Sequence, residues 1–212
     1  MVTFIIIRHG YSEANKAKCF AGQSDVPLDA VGVAQSKSTA KYIMDTYKVD
    51  GIYSSDLSRA YETVRPLAEA LGMDVIRRRD LREVDVGVWQ GMRIEDVKTA
   101  FAESFAAYKE NPGIYAFEGG ESYPEAMDRA AQAFAEIAAE NDGKTVVIGT
   151  HGGIVRAIRT VWNGIPPEQM KDISHVPNAS VTVVEYDGGS ITWRMVGYDG
   201  HLEDKTTEEG IR

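Results

Sequence analysis

Two histidines, each followed by glycine, stand at the ends of apolar runs that are typical of buried β-strands. Arg8-His9-Gly10 follows residues 4–7, and His151-Gly152 follows residues 145–149. The carboxyl ends of neighbouring parallel strands meet at one edge of an α/β sheet, where ligands bind. We therefore expect His9 and His151 to lie close together, with Gly152 opening a helix whose N-terminus favours an anion.

Two arginines are placed to reach the same edge. Arg8 precedes His9, and Arg59 lies in the first turn of a helix that is predicted to follow a strand at residues 50–53. Planar guanidinium groups bind the oxygens of a phosphate at two points. Because phosphoryl transfer needs mainly positioning and charge neutralisation, the pattern favours phosphate chemistry without a metal. An unprotonated His9 would be the nucleophile.

A leaving alkoxide needs a proton, so a carboxylic acid is expected nearby. Glu83 follows a weaker strand pattern at residues 74–77, and it is the candidate general acid. Spacing alone leaves the reaction open, since a single histidine at a strand end is more often structural and a surface arginine is most often solvated.

The remaining pattern alternates strands with helices, which indicates an α/β sandwich with a mostly parallel sheet. Further strands are predicted at 181–186 and 191–196, joined by a hairpin turn at 187–190. Helices are predicted at 31–47, at 55–71 with Ser54 or Ser55 as the cap, from the Ser122–Glu125 capping box to residue 139, and at 152–162. The segment at about 89–120 fits this alternation poorly and is interpreted as a helical insertion that covers the site.

The composition narrows the class of protein. The 212 residues carry a net charge of −9 and one cysteine, which argues against nucleic acid as a partner and against a disulfide framework. No apolar run approaches a membrane span. We expect a single domain over 1–212, cytoplasmic, without a membrane or nucleic-acid partner, acting on a small phosphomonoester; a homodimer is left open.

In order along the chain, these motifs resemble the histidine phosphatase superfamily in its phosphoglycerate mutase-like branch. The resemblance spans nearly the whole chain. It rests on Arg8-His9-Gly10 with Glu13 and Asn15, residues 22–29 with Gly32, residues 54–60 with Glu62 and Thr63, Leu81-Arg82-Glu83, residues 87–91, residues 119–122 and His151-Gly152-Gly153.

The resemblance implies a three-layer α/β/α sandwich and a covalent phosphohistidine on His9, without a metal or an organic cofactor. It implies that Glu83 protonates the leaving oxygen and then activates water. The phosphate and substrate contacts that it suggests are Arg8, Arg59, His151, Asn15, the Gly152 N–H, Gly22 and Gln23.

Within the branch, a phosphatase is favoured over a mutase. The chain has His-Gly-Gly where mutases have His-Gly-Asn, and a mutase-type basic cluster cannot be placed in the 89–120 segment. Tyr11 stands where the family commonly has glutamate, and Ala21 where mutases tend to have serine or threonine. A phospho-ligand binding module without turnover is the alternative from another class.

The substrate is not determined by these motifs. One group of aromatic residues could form a wall over the site, although packing within the insertion is the commoner use of such side chains. The group is Tyr11, Phe101, Phe105, Tyr108, Tyr115 and Phe117. His175 and His201 have no assigned role.

Overall fold

A computed structural model describes residues 1–205, so residues 206–212 of the predicted domain lie outside the described part. Its six-stranded sheet has the order β3-β2-β4-β1-β5-β6. The strands are β1 Val2–Arg8, β2 Gly51–Ser55, β3 Val75–Arg78, β4 Thr145–Thr150, β5 Val181–Asp187 and β6 Ser190–Tyr198. The helices are α1 Glu13–Ala17, α2 Ala30–Thr46, α3 Ser58–Leu71, α4 Ile94–Ala100, α5 Ala102–Glu110, α6 Tyr123–Glu140 and α7 Gly152–Trp162.

The centre of the sheet is parallel, as predicted. β1 pairs with β4, β4 with β2, and β2 with β3, all in the parallel sense. The chain returns to the other side of β1 through the antiparallel strand β5, which forms the predicted hairpin with β6. Gly188 supplies the positive φ of 60° that this tight turn requires.

Helices cover both faces of the sheet, which confirms the α/β/α sandwich. Alternate residues of β1 point to opposite faces, so Ile5 joins one buried cluster with Ile43 of α2 and Leu67 of α3. Phe4 joins the other cluster, which contains residues of α6 and α7 such as Phe134. Burial on both faces explains why β1 and β4 are almost entirely apolar.

The predicted start of α3 is wrong. The helix begins at Ser58, not at Ser55, and its N-cap residue, Leu57, makes no side-chain capping bond. Asp25 from a distant loop caps it instead: its carboxylate accepts hydrogen bonds from the Ser58 N–H at 2.7 Å and the Ser58 hydroxyl at 2.9 Å. By contrast, the Ser122–Glu125 capping box that starts α6 is confirmed.

The segment at 89–120 contains α4 and α5, followed by a single turn at Pro112–Ile114. Its apolar side chains pack around Trp89, whose ring lies 5.3–6.4 Å from those of Phe101, Phe105, Tyr115 and Phe117. This aromatic cluster holds the segment over the carboxyl edge of the sheet. None of the helices described is both long and apolar enough to cross a membrane.

Candidate active site

The two predicted histidines meet at the carboxyl ends of β1 and β4. Arg8 is in register with Thr150, and the His9 N–H donates to the Thr150 carbonyl at 2.8 Å. The next residue on each strand is therefore a histidine, and the centroids of the His9 and His151 rings lie 5.3 Å apart. Both rings are buried.

The tautomer of His9 is set by the backbone. Its Nδ1 lies 2.8 Å from the Gly10 carbonyl oxygen. A carbonyl can only accept, so Nδ1 carries the proton and Nε2 keeps its lone pair. Burial, reinforced by Arg59 and then Arg8, holds the pKa of His9 well below its usual 6.5. The His9 ring is thus neutral at neutral pH, the state that a nitrogen nucleophile requires.

Main-chain groups at the end of the sheet fix the position of His9. Its carbonyl accepts from the Ala179 N–H and from the Asn178 side-chain amide, both at 3.1 Å. The Gly10 N–H donates to the Thr63 hydroxyl at 2.9 Å. Sequence reasoning missed Asn178 and Ala179, which lie in a loop without periodic pattern.

Arg59 is fully buried behind the site. Its two terminal nitrogens donate to the carbonyls of Ser24, at 2.8 Å, and Gly22, at 2.7 Å. Its Nε has no hydrogen-bond partner in the described chain. Burial lowers the pKa of Arg59 to about 10, so the group stays charged at neutral pH. Gly22 has a φ of +48°, and its role here is to present a carbonyl that orients Arg59.

Arg8 reaches the same cavity from β1. Its guanidinium donates to the Val176 carbonyl at 2.6 Å and lies against the first turn of α7. A Cβ at Gly152 would lie 3.1 Å from Arg8 Nε, so glycine lets the cation sit close to the helix N-terminus. Arg8 and Arg59 therefore place two cations around one space, as the sequence predicts.

Glu83 faces the same cavity. The Thr150 hydroxyl donates to the Leu81 carbonyl at 2.9 Å, which ties this segment to the end of β4. The carboxylate accepts from the Val84 N–H at 2.9 Å and, through its other oxygen, from the Gly153 N–H at 3.1 Å. These bonds fix the plane of the carboxyl group and leave a second lone pair on each oxygen to carry a proton.

His151 lies deeper than His9. Its Nε2 is hydrogen-bonded to the Ser55 hydroxyl at 2.8 Å, and its Nδ1 has no partner among residues 1–205. Burial, followed by the charge of Arg59, holds its pKa well below 6.5. Ser55, which was predicted as a helix cap, therefore orients this ring. The ring lies beside His9 but is fully buried, and His151 is not among the described residues that line the cavity.

The other predicted residues are placed as follows. Asn15 and Gly22 line the cavity together with Arg8, His9, Arg59, Glu83 and Gly152. Gln23 and Tyr11 do not: the Gln23 amide donates to the Glu83 carbonyl at 3.2 Å, and the Tyr11 N–H donates to the Gln35 side chain at 2.9 Å. Gln23 thus supports the backbone of Glu83.

Only part of the aromatic group reaches the cavity. Tyr108 and Phe117 line it, with Phe20 and Tyr123, whereas Phe101, Phe105 and Tyr115 pack in the cluster around Trp89. His175 also lines the cavity. His201 lies against Tyr42 and bonds to Thr39 at 2.9 Å. Within residues 1–205, no three His, Cys, Asp or Glu side chains are grouped to hold a metal ion.

Comparisons with known proteins identify the family of this chain. The family model of the histidine phosphatase superfamily (branch 1) matches residues 4–199. The chain is 32% identical to phosphoserine phosphatase 1 of Hydrogenobacter thermophilus, over 88% of each chain. It is 31% identical to phosphoglycerate mutase-like protein 4 of Arabidopsis thaliana, over 94% of this chain and 86% of that protein.

Among solved structures, YhfR of Bacillus stearothermophilus superposes with a TM-score of 0.90 at 26% identity. The match covers 96% of this chain and all of that one. The family match and the similarity to a phosphoserine phosphatase support a phosphatase activity for this chain. The fold, the ordered motifs and the family match show that the chain belongs to branch 1 of the histidine phosphatase superfamily.

Proposed function

We propose that the protein hydrolyses a small phosphomonoester through a phosphohistidine on His9, without a metal ion. The observation that carries the proposal is the state of His9: its tautomer leaves Nε2 unprotonated, between two arginines in one cavity. A site that only bound phosphate would gain from a cationic histidine. A neutral histidine is what a nucleophile requires.

In the first step, His9 Nε2 forms a bond to phosphorus while the bond from phosphorus to the alcohol oxygen breaks. Glu83 in its protonated form gives its proton to that oxygen, so the alcohol leaves neutral. In the second step, the Glu83 carboxylate takes a proton from water as the water oxygen bonds to phosphorus. The N–P bond breaks, phosphate leaves, and both residues return to their starting states.

Arg8, Arg59 and His151 would bind the phosphoryl oxygens during both steps. The two guanidinium groups neutralise charge on the phosphoryl oxygens. His151 Nδ1, the ring nitrogen that has no partner, can donate to a third oxygen when it carries the proton. Asn15 and the Gly152 N–H are further candidate donors, since both residues line the cavity.

Hydrolysis is favoured over phosphoryl transfer between metabolites. The relative named phosphoserine phosphatase makes phosphoserine the first candidate substrate to test. The mutase alternative is tested in the same screen by following 3-phosphoglycerate for both hydrolysis and isomerisation. Rapid isomerisation with little phosphate release would replace our proposal with the mutase function.

The covalent step is tested by mixing the protein with ³²P-labelled substrate and quenching the reaction. We expect an acid-labile, base-stable phosphoenzyme that is lost in His9→Ala, and activity that a chelator leaves unchanged. Lys37→Gln, an exposed change on α2, is a control that should keep the phosphoenzyme. An acid-stable phosphoenzyme would contradict His9 as the nucleophile, and no turnover of any phosphomonoester would favour the binding-module alternative.

A further inference from the structure

A second cavity adjoins the catalytic one. The two share Tyr108 and His175, and the second is the larger, at about 370 Å³ against about 100 Å³. It therefore has room for the alcohol part of a substrate whose phosphate lies beside His9. We call it the annex. Its lining is Tyr108, Lys109, Pro112, Arg156, Lys171, Ile173, Ser174 and His175.

The annex is cationic on an acidic protein. Lys109, Arg156 and Lys171 line it with His175, and no carboxylate is among its lining residues in the described chain, although the net charge is −9. Neither lysine makes an ion pair with residues 1–205, whereas other lysines, such as Lys41 with Asp45, do. Like charges gathered without a counter-charge repel one another, so an anion would relieve the arrangement.

Arg156 is the residue of the annex whose side chain is buried and held in a fixed orientation. It is only 6% exposed, and its terminal nitrogens donate to the Met170 carbonyl at 2.8 Å and to His175 Nε2 at 3.1 Å. These bonds fix the plane of the guanidinium group. Its Nε is buried without a hydrogen-bond partner, and a buried donor left unpaired is unfavourable. The side chain is therefore held in place, and each terminal nitrogen has a second N–H beyond these two bonds.

We propose that the annex binds a second anionic group, a carboxylate or a second phosphate, on the alcohol side of the substrate. This inference rests on the proposed function, because it places the reacting phosphate beside His9. It defines the substrate class: a phosphomonoester that bears another negative charge, as opposed to a neutral alkyl, sugar or nucleoside monophosphate. Arg156 supplies an oriented guanidinium group, and the two exposed lysines supply further positive charge.

The test uses matched substrates. 3-Phosphoglycerate and glycerol 3-phosphate differ by a carboxylate in place of a CH₂OH group, and fructose 1,6-bisphosphate and fructose 6-phosphate differ by a second phosphate. In the parent protein, kcat/KM should be higher for the doubly anionic member of at least one pair. The pair that shows the preference identifies the anion as carboxylate or phosphate.

The variant is Lys109→Gln/Lys171→Gln, since both lysines are exposed and the fold does not depend on them. We expect the preference to fall by up to about 25-fold, because each of the two solvent-exposed charges contributes a factor of up to about five. Lys37→Gln on α2 removes the same charge elsewhere and should leave the preference intact. High salt should weaken the preference in the parent protein.

The same preferences are measured as ratios of dissociation constants by calorimetry on the His9→Gln variant. This readout does not need turnover, so it separates the annex from the phosphatase reaction. A parent protein that hydrolyses phosphomonoesters but shows no preference in either pair overturns the inference. So does a preference that the double lysine variant and Lys37→Gln reduce equally. Absence of all hydrolysis with a preserved binding preference would refute the phosphatase function alone.

Discussion

Replacing Gly153 with alanine should displace Glu83, the proposed general acid, while leaving His9, the proposed nucleophile, in place. A Cβ at this position would collide with Glu83 Oε1 and lie 3.1 Å from a methyl group of Val84. The carboxyl group must then move, and its hydrogen bond from the Gly153 N–H is lost. His9 is held by Gly10, Ala179 and other groups that this change does not touch.

The expected effect depends on the leaving group. A positioned general acid contributes about 10²–10⁴ in rate, so kcat/KM for an alkyl phosphate should fall by about that factor. kcat/KM reports the first transfer to His9, and p-nitrophenolate leaves without a proton, so kcat/KM for p-nitrophenyl phosphate should change little. The kcat for p-nitrophenyl phosphate should still fall, because in the proposed mechanism Glu83 is the base for water attack on the phosphohistidine.

Gly51→Ala is the matched control. A Cβ there would lie 3.5 Å from Val146, which is an ordinary contact, so both substrates should keep their rates. At residue 153, which lies in α7, alanine favours the helix over glycine by about 1 kcal/mol. Loss of folding is therefore not expected to obscure the result for Gly153→Ala. Equal loss of kcat/KM for alkyl and aryl phosphates in Gly153→Ala would show that the general acid is not Glu83.

Three further outcomes follow from the site. Burial and Arg59 hold the pKa of His9 below 6.5. After allowance for ionisation of the substrate, kcat/KM should therefore stay level as pH falls through 6.5 and decline only at lower pH. A decline centred at 6.5 would contradict this prediction. Ser55→Ala removes the hydrogen-bond partner of His151. We expect it to lower the free energy of unfolding by about 1 kcal/mol and to lower turnover. A rate equal to the parent's would refute the role of Ser55 in positioning the His151 ring. Arg59→Lys keeps the positive charge but loses the planar guanidinium group, so kcat/KM should fall by a factor of about 10²–10³. An unchanged rate would show that the charge alone suffices.

The sequence predicts that the site residues lie close together, because their positions follow from the order of the strands in the sheet. Two strands that end in histidine place those residues together whenever they are parallel neighbours, and β1 and β4 are. Arg8 ends β1, and Arg59 and Glu83 come after β2 and β3, so all three reach the same edge of the sheet. These are consequences of topology, for which short apolar runs are sufficient signals.

The supporting contacts could not be predicted, because they come from loops without periodicity. The Asn178 bond to His9 and the Val176 bond to Arg8 come from the loop before β5. The start of α3 was misplaced for the same reason, since its cap, Asp25, is distant in sequence. Arg156 lies on the amphipathic helix α7, and from the sequence alone an arginine on such a helix is expected on the solvated face. Its burial becomes evident only in the folded structure.

The bond between His9 Nδ1 and the Gly10 carbonyl has a consequence for the history of such enzymes. The group that selects the reactive tautomer belongs to the main chain, so a substitution elsewhere does not remove it. Substitutions around the rest of the cavity, for example at Tyr108 or His175, can therefore change its shape without changing the proton position on His9. A lineage built on this arrangement can exchange one phosphorylated metabolite for another by altering its walls alone.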